Sequence, residues 1–209
     1  MVDFAIVPNK TALINVDMQN AFVENSPIAA PEGPEILKRI NKLSAACRKA
    51  GILVVHTIVG YRPDHSNVGI AQAFAGDVID KRLLDLDQPS AALHSSLDVA
   101  PGDILLEKPR YGAFHATDLE LILRSRGIDT VIITGICTNV CCETTAREAA
   151  VRDFKVLFTN DGTATFDFGG LTRQEIQRAT CASLSLVFAQ VLSVDDVIAK
   201  ITKAARAAA

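Results

Sequence analysis

Thr130-Val-Ile-Ile-Thr-Gly-Ile-Cys-Thr-Asn-Val-Cys-Cys-Glu-Thr-Thr-Ala-Arg147 is the stretch from which the fold is read. The apolar run Thr130–Thr134 has the composition of a buried strand. Gly135 then permits a turn, and a helix is expected to start near Asn139 and run to Arg152. This places Cys141 in the first helical turn. Free amides and the positive end of the helix dipole favour a thiolate there, and the same N–H groups can receive an oxyanion. The stretch reads as strand, nucleophile turn and helix.

Two further segments have the same form. Asp17 closes the apolar segment Thr11-Ala-Leu-Ile-Asn-Val-Asp17, and Lys108 closes Asp103-Ile-Leu-Leu-Glu-Lys108. In an open parallel sheet the C-terminal strand ends converge on the ligand crevice. A carboxylate, an ammonium and a thiol meeting there form a set suited to acyl transfer.

The rest of the chain supports that architecture. Strands are expected at Ala12–Val16, Ile52–Val59, Asp103–Glu107, Thr130–Thr134, Val156–Asn160 and near Val187–Leu192. Helices are expected at Pro34–Ala50, Ala116–Arg126, Asn139–Arg152, Thr172–Ser185 and Val194–Ala205, with Ala204–Ala209 a fraying helix end. Pro34 near a helix start, and Gly51 and Gly127 after helix ends, fit the usual terminal preferences. This alternation implies an α/β fold, a three-layer, doubly wound parallel sheet of about six strands with helices on both faces. Residues 1–209 are read as a single domain. The region 60–101 interrupts the rhythm with Pro63, Gly69, Gly76 and Pro89. It is either a lid over the pocket or a surface excursion used as an oligomer contact.

Composition narrows the function. Hydrophobic residues make up 49% of the chain, in keeping with a well-buried α/β protein, and a net charge of −3 gives no basic footprint for nucleic acid. No apolar stretch reaches the roughly 18 residues of a membrane span, and no signal-peptide pattern opens the chain. A cytoplasmic protein is expected. The five cysteines are an odd number without zinc spacing, which argues against a disulfide framework and a structural metal.

Taken together, Val16-Asp-Met-Gln-Asn20, Glu107-Lys-Pro-Arg-Tyr111 with Phe114, and Gly135-Ile-Cys-Thr-Asn-Val-Cys141 with Thr145-Ala-Arg147 resemble the isochorismatase-like cysteine hydrolases. Pro101-Gly-Asp-Ile104, Lys108-Pro-Arg-Tyr111 and Leu123-Arg-Ser-Arg-Gly-Ile128 are similar to the ureidoacrylate amidohydrolase group within them. The resemblance implies an isochorismatase-like fold and a catalytic triad of Asp17 as general base, Lys108 as cation and Cys141 as nucleophile. It favours Cys141 over Cys142, which would point about 100° away on a helix. It also implies a non-proline cis peptide at Ile136–Cys137 and an oxyanion hole from the backbone N–H groups of Cys137 and Cys141. Relatives that hydrolyse nicotinamide carry an Asp-x-His metal motif after the second strand. Val59 and Tyr61 stand at those positions here, so no metal and no cofactor is expected. Asp64 with His65 would make only a weaker site, and His56 reads as a satisfied interior histidine.

Phe22, Tyr111 and Phe114 are candidate pocket walls, and Arg62 and Arg110 are candidates for an anionic substrate end. The expected activity is hydrolysis of the C–N bond of a small amide, ureide or carbamoyl compound through a thioester. Partners are expected to be that substrate and further copies of the chain, as homodimer or homotetramer, with no nucleic acid and no membrane. Vinyl-ether hydrolysis, a thiol redox or sensor role for Cys141–Cys142, and a non-catalytic binding subunit are the alternatives.

Overall fold

A computed structural model describes residues 2–207; the end of the Ala-rich tail lies outside the described residues. The elements run β1 (Thr11–Val16), α1 (Asn20–Val23), α2 (Gly33–Lys49), β2 (Leu53–Val59), the short helices α3 (Ala71–Phe74) and α4 (Gly76–Asp80), then β3 (Ile104–Lys108) and α5 (Leu119–Ser125). They continue with β4 (Thr130–Ile136), a π turn (Thr138–Cys142) leading into α6 (Glu143–Ala150), β5 (Lys155–Ala164), α7 (Arg173–Val187), β6 (Gln190–Leu192) and α8 (Val194–Ala207). The six strands are all parallel, in the order β3-β2-β1-β4-β5-β6. β1 and β4 are adjacent, and the chain winds outward from them in opposite directions. The crevice of such a sheet opens at the carboxyl ends of those two strands.

The central strands are apolar throughout because both their faces are covered. Leu13, Ile132 and Leu157 point to one side, where α2 and α8 supply Leu43, Cys47, Val197 and Ile201. Their neighbours Ile14, Val131, Ile133 and Phe158 point to the other, against Leu119, Leu123, Ala146, Ala149 and Leu184 of α5, α6 and α7. Gly135 sits at φ 124°, and a Cβ there would come 2.0 Å from the Val16 carbonyl oxygen. Only glycine lets β1 and β4 run this close beside Asp17.

Several elements depart from the expected bounds, β5 among them, which runs on to Ala164 rather than ending at Asn160. α5 begins at Leu119 rather than Ala116, because Ala116 adopts a left-handed φ of 55° that no α-helix accommodates. The expected strand near Val187 is helical up to that residue, and β6 starts only at Gln190. Leu184 is buried while Leu186 and Val187 face outward, a helical division that apolar composition alone hides. The expected helix from Asn139 is split into the π turn and the shorter α6.

The 60–101 segment folds back over the carboxyl ends of β1 and β2. Gln19, fully buried, ties it down: its amide nitrogen donates to the carbonyls of Val59 (3.0 Å) and Ala91 (2.7 Å), and its oxygen accepts from Val59 N–H (3.0 Å). No helix among the described residues is long and apolar enough to cross a membrane.

A polar seam crosses the apolar sheet. Thr134 Oγ1 donates to Asn15 Oδ1 at 2.8 Å, Asn15 Nδ2 lies 3.3 Å from His56 Nδ1, and His56 Nε2 lies 3.0 Å from Asp103 Oδ2. Arg48 closes the seam on Asp103 at 2.6 Å. Burial pushes the pKa of His56 below its ordinary value, against the opposing pull of Asp103. The folded protein therefore holds His56 neutral, whereas the unfolded chain protonates it below about pH 6.5. Stability from this group is complete above that pH and is lost as pH falls through it. The melting temperature should fall as pH drops below about 6.5, and a His56→Gln variant, less stable overall, should fall less over the same interval. Calorimetric scans of both proteins across that range decide it; parallel profiles would count against this account.

Candidate active site

β1 ends in an abrupt change of backbone direction. Asp17 takes a left-handed φ of 52°, and its N–H turns back to Thr57 on β2, 3.2 Å from the carbonyl and 3.1 Å from Oγ1. The Thr57 hydroxyl donates to Asp17 Oδ1 at 2.6 Å. The other carboxylate oxygen, Oδ2, lies 2.8 Å from Lys108 Nζ, and both side chains are fully buried. The contact is an ion pair rather than an aligned hydrogen bond, and among the described residues Oδ2 accepts no hydrogen bond. The remaining ammonium hydrogens go to the carbonyls of Arg110 (3.0 Å) and Tyr111 (2.8 Å), which curls the residues after β3 around the charge.

Cys141 lies in the π turn after β4. The Cys137 carbonyl accepts from Val140 N–H (3.3 Å) and Cys142 N–H (3.1 Å), bypassing Cys141. A π turn of this kind is a common feature of functional sites. Among the described residues the Cys137 N–H meets no acceptor, and the Ile136–Cys137 peptide is cis, as the resemblance implied. The turn is held from several sides. Thr145 Oγ1 donates to the Cys141 carbonyl (2.7 Å), Thr138 Oγ1 to Gln177 Oε1 (2.5 Å), and Thr165 Oγ1 to Asn139 Oδ1 (2.7 Å).

The structure thus brings Asp17, Lys108 and Cys141 together across three strand ends, near enough for both charged groups to act on the thiol. The electrostatics correct one expectation. Burial pushes the Cys141 thiol well above its ordinary range, which Lys108 opposes and Asp17 reinforces. Removal of the thiol from water thus works against the thiolate that a helix-end position favours. Lys108, by contrast, stays above its usual value: burial pulls it down, but Asp17 and then Cys141 outweigh that.

The two adjacent thiols are distinguished by their surroundings. Lys108 opposes burial at Cys141 more than it does at Cys142. The Cys142 sulfur instead points at the Thr134 carbonyl, 3.7 Å away, within the core.

The candidate pocket residues fare unevenly. Tyr111, 40% exposed, stands where its backbone holds Lys108. Phe22 is buried with Met18, Val59 and Tyr61. Phe114 is a core side chain, its ring 5.6 Å from Phe154, rather than an open wall. The Arg62 side chain is exposed, whereas Arg110 is half-buried. A cavity of about 400 Å³ between the starts of α2 and α7, lined by Arg39, Asn160, Arg173 and Gln177, contains none of Asp17, Lys108 and Cys141. His65 pairs with Asp85 rather than Asp64, and among the described residues no three His, Cys, Asp or Glu side chains are grouped to hold a metal ion. Val59 and Tyr61 are buried.

Thr57 and Gln19 escaped the sequence reading, since a threonine inside an apolar strand and a glutamine after it have no local signature. Only the parallel pairing of β1 with β2 brings Thr57 beneath Asp17. Thr57→Val should lower turnover about tenfold to a hundredfold by freeing the carboxylate to rotate, with Thr57→Ser close to wild type. Steady-state kinetics of both variants test this; an active Thr57→Val enzyme would remove Thr57 from the account.

The isochorismatase domain model matches residues 11–196. Nicotinamidase 3 of Arabidopsis thaliana is 35% identical over 88% of this chain and 85% of its own. Ureidoacrylate amidohydrolase RutB of Methylorubrum extorquens is 36% identical over 73% of this chain and 69% of its own. A crystal structure of a cysteine hydrolase from Pseudomonas syringae pv. phaseolicola superposes with a TM-score of 0.93 at 32% identity, covering 97% of both chains. With a buried carboxylate, ammonium and thiol meeting at the switch point of this sheet, and a domain match spanning nearly the whole chain, the protein belongs to the isochorismatase family of hydrolases.

Proposed function

We propose that the protein is a cysteine-dependent amidohydrolase that cleaves the C–N bond of a small amide, ureide or carbamoyl compound. The observation that carries this reading is the buried Asp17–Lys108 ion pair at 2.8 Å beside the Cys141 thiol. In the first half-reaction Asp17 takes the thiol proton as sulfur attacks the carbonyl carbon. Lys108 keeps the site electrically balanced as the proton moves. The oxyanion is received by the N–H groups of Cys137 and Cys141. Asp17 then gives its proton to the leaving nitrogen, the C–N bond breaks, ammonia or an amine departs, and a thioester remains. In the second half Asp17 takes a proton from water as it attacks the thioester, and returns it to the departing sulfur. A raised thiol pKa fits this order, because the proton leaves only as the C–S bond forms.

The relatives support the reading from two directions, one named for nicotinamide and one for ureidoacrylate. The same reading has the enzyme working in the cytoplasm as a homodimer or homotetramer, in keeping with five free cysteines and with the exposed apolar side chains of Ile70 and Phe74 on the 60–101 segment. Ammonia release from a panel of small amides, ureides and carbamoyl acids, with Cys141→Ala as control, tests it. Release from one class that vanishes in the variant is expected; release that persists would remove the cysteine from the mechanism.

A further inference from the structure

Lys108 and Cys141 reach the same corner from strands that do not touch. β3 and β4 are separated in the sheet by β2 and β1. Three strand spacings put them about 14 Å apart, with no hydrogen-bond ladder between them. The placing of the ammonium against the thiol therefore depends on what joins the loop after β3 to the turn after β4.

That joint is made by one face of the helix that follows the nucleophile. Cys141, Thr145 and Glu148 recur at spacings of four and three, which stack along one side of a helix. Thr145 is fully buried, and its hydroxyl is used in both directions. It donates to the Cys141 carbonyl at 2.7 Å and accepts from the Ala113 N–H at 3.1 Å. Glu148 takes the next amide, Phe114 N–H, at 3.0 Å. A Cβ at Gly112 would come 2.2 Å from Glu148 Oε2, so the carboxylate is seated where a side chain would otherwise stand. Donation from a threonine hydroxyl to the carbonyl four residues back is common in helices and by itself implies nothing about a site. Acceptance from an amide 32 residues away in sequence is not part of that habit.

The loop held in this way is the one that holds the ammonium. Lys108 Nζ donates to the carbonyls of Arg110 and Tyr111, and Ala113 follows Tyr111 by two residues. A short path thus runs from the Lys108 ammonium through the Tyr111 carbonyl, the Ala113 amide and the Thr145 hydroxyl to the Cys141 carbonyl. A hydroxyl whose single hydrogen is donated while a lone pair is filled has little freedom to rotate, so it passes position from one partner to the other. Lys108 in turn favours the Cys141 thiolate against burial.

We propose that Thr145 is a positioning residue whose hydroxyl sets the Lys108 ammonium against the Cys141 thiol and so governs the reactivity of that sulfur. This rests on the reading of Cys141 as the nucleophile.

Alkylation by iodoacetamide, with the Cys141 peptide quantified by mass spectrometry, reads the thiol in the full-length protein without any substrate. Thr145→Val keeps the shape and removes both hydrogen bonds. Its Cys141 should react about tenfold more slowly near pH 8, with the whole rate profile displaced to higher pH, because the ammonium no longer sits as closely on the sulfur. Thr145→Ser keeps the hydroxyl and should follow the wild-type profile. Thr145→Ala is read in parallel, in case Thr145→Val does not fold, and should move the profile in the same direction. A lower melting temperature with an unmoved profile would make Thr145 a packing residue only and overturn the inference. So would a Thr145→Ser profile displaced as far as that of Thr145→Val, or failure of both Thr145→Val and Thr145→Ala to fold. Wild-type Cys141 that reacts at no pH would overturn the nucleophile reading and this inference with it. Ammonia release separates the two otherwise. A displaced profile in a protein that releases no ammonia would sink the amidohydrolase reading and sustain the role of Thr145. Release that depends on Cys141 but is unchanged in Thr145→Val would do the reverse.

Discussion

Replacing Cys141 by serine is expected to lower turnover by about 10⁴-fold or more, while Cys142→Ser keeps activity within about threefold of wild type. The two residues are adjacent and both buried, so the contrast rests on their neighbours. Asp17 and Lys108 both act on the Cys141 thiol, whereas Cys142 points at the Thr134 carbonyl. A serine hydroxyl at 141 is much harder to deprotonate than a thiol, and a single carboxylate is a weak base for it. A serine at 142 can still donate to Thr134, so the cost there falls on packing, about 1–2 kcal/mol of stability. Kinetics and thermal melts of the two variants check this, and an inactive Cys142→Ser beside an active Cys141→Ser would reverse the assignment.

The second large effect concerns the buried ion pair. Asp17→Asn should lower turnover about a thousandfold and, separately, destabilise the fold by about 3–5 kcal/mol. Asparagine can still accept from Thr57, so shape is preserved while the base is lost. It also leaves the Lys108 ammonium buried without a counter-charge, with only the carbonyls of Arg110 and Tyr111 for support. Lys108→Met leaves the converse problem, an unpaired Asp17. Because each single change strands one charge, the double variant should be more stable than the sum of the two losses implies. Denaturant titrations of the two single variants and the double variant measure that coupling. Strict additivity would mean that the two charges do not compensate each other.

Much of this site could be read from local patterns. Asp17 and Cys141 follow apolar runs buried on both faces, which tolerate few polar residues, whereas Lys108 closes an edge strand whose burial alternates. The interior role of His56 was legible for the same reason, since an isolated histidine inside such a run needs partners to stay buried. The left-handed turn at Ala116 and the helical course through Val187 were not legible, because composition there favours the ordinary alternative and long-range packing overrides it.

The sequence by itself determined the α/β alternation, the strand-end placement of the three chemical groups and the choice of a thiol as candidate nucleophile. Each depends on residue type and short spacing, which local sterics and hydrophobic periodicity convert directly into structure. Only the tertiary structure decided that burial raises the Cys141 thiol, that Thr57 orients Asp17, that Phe114 belongs to the core, and that Arg110 rather than Arg62 lies half-buried beside Lys108. Those outcomes depend on how much water is removed from each group and on which distant residue replaces it. Desolvation is a property of the assembled sheet and its covering segments, and no window of the chain contains it.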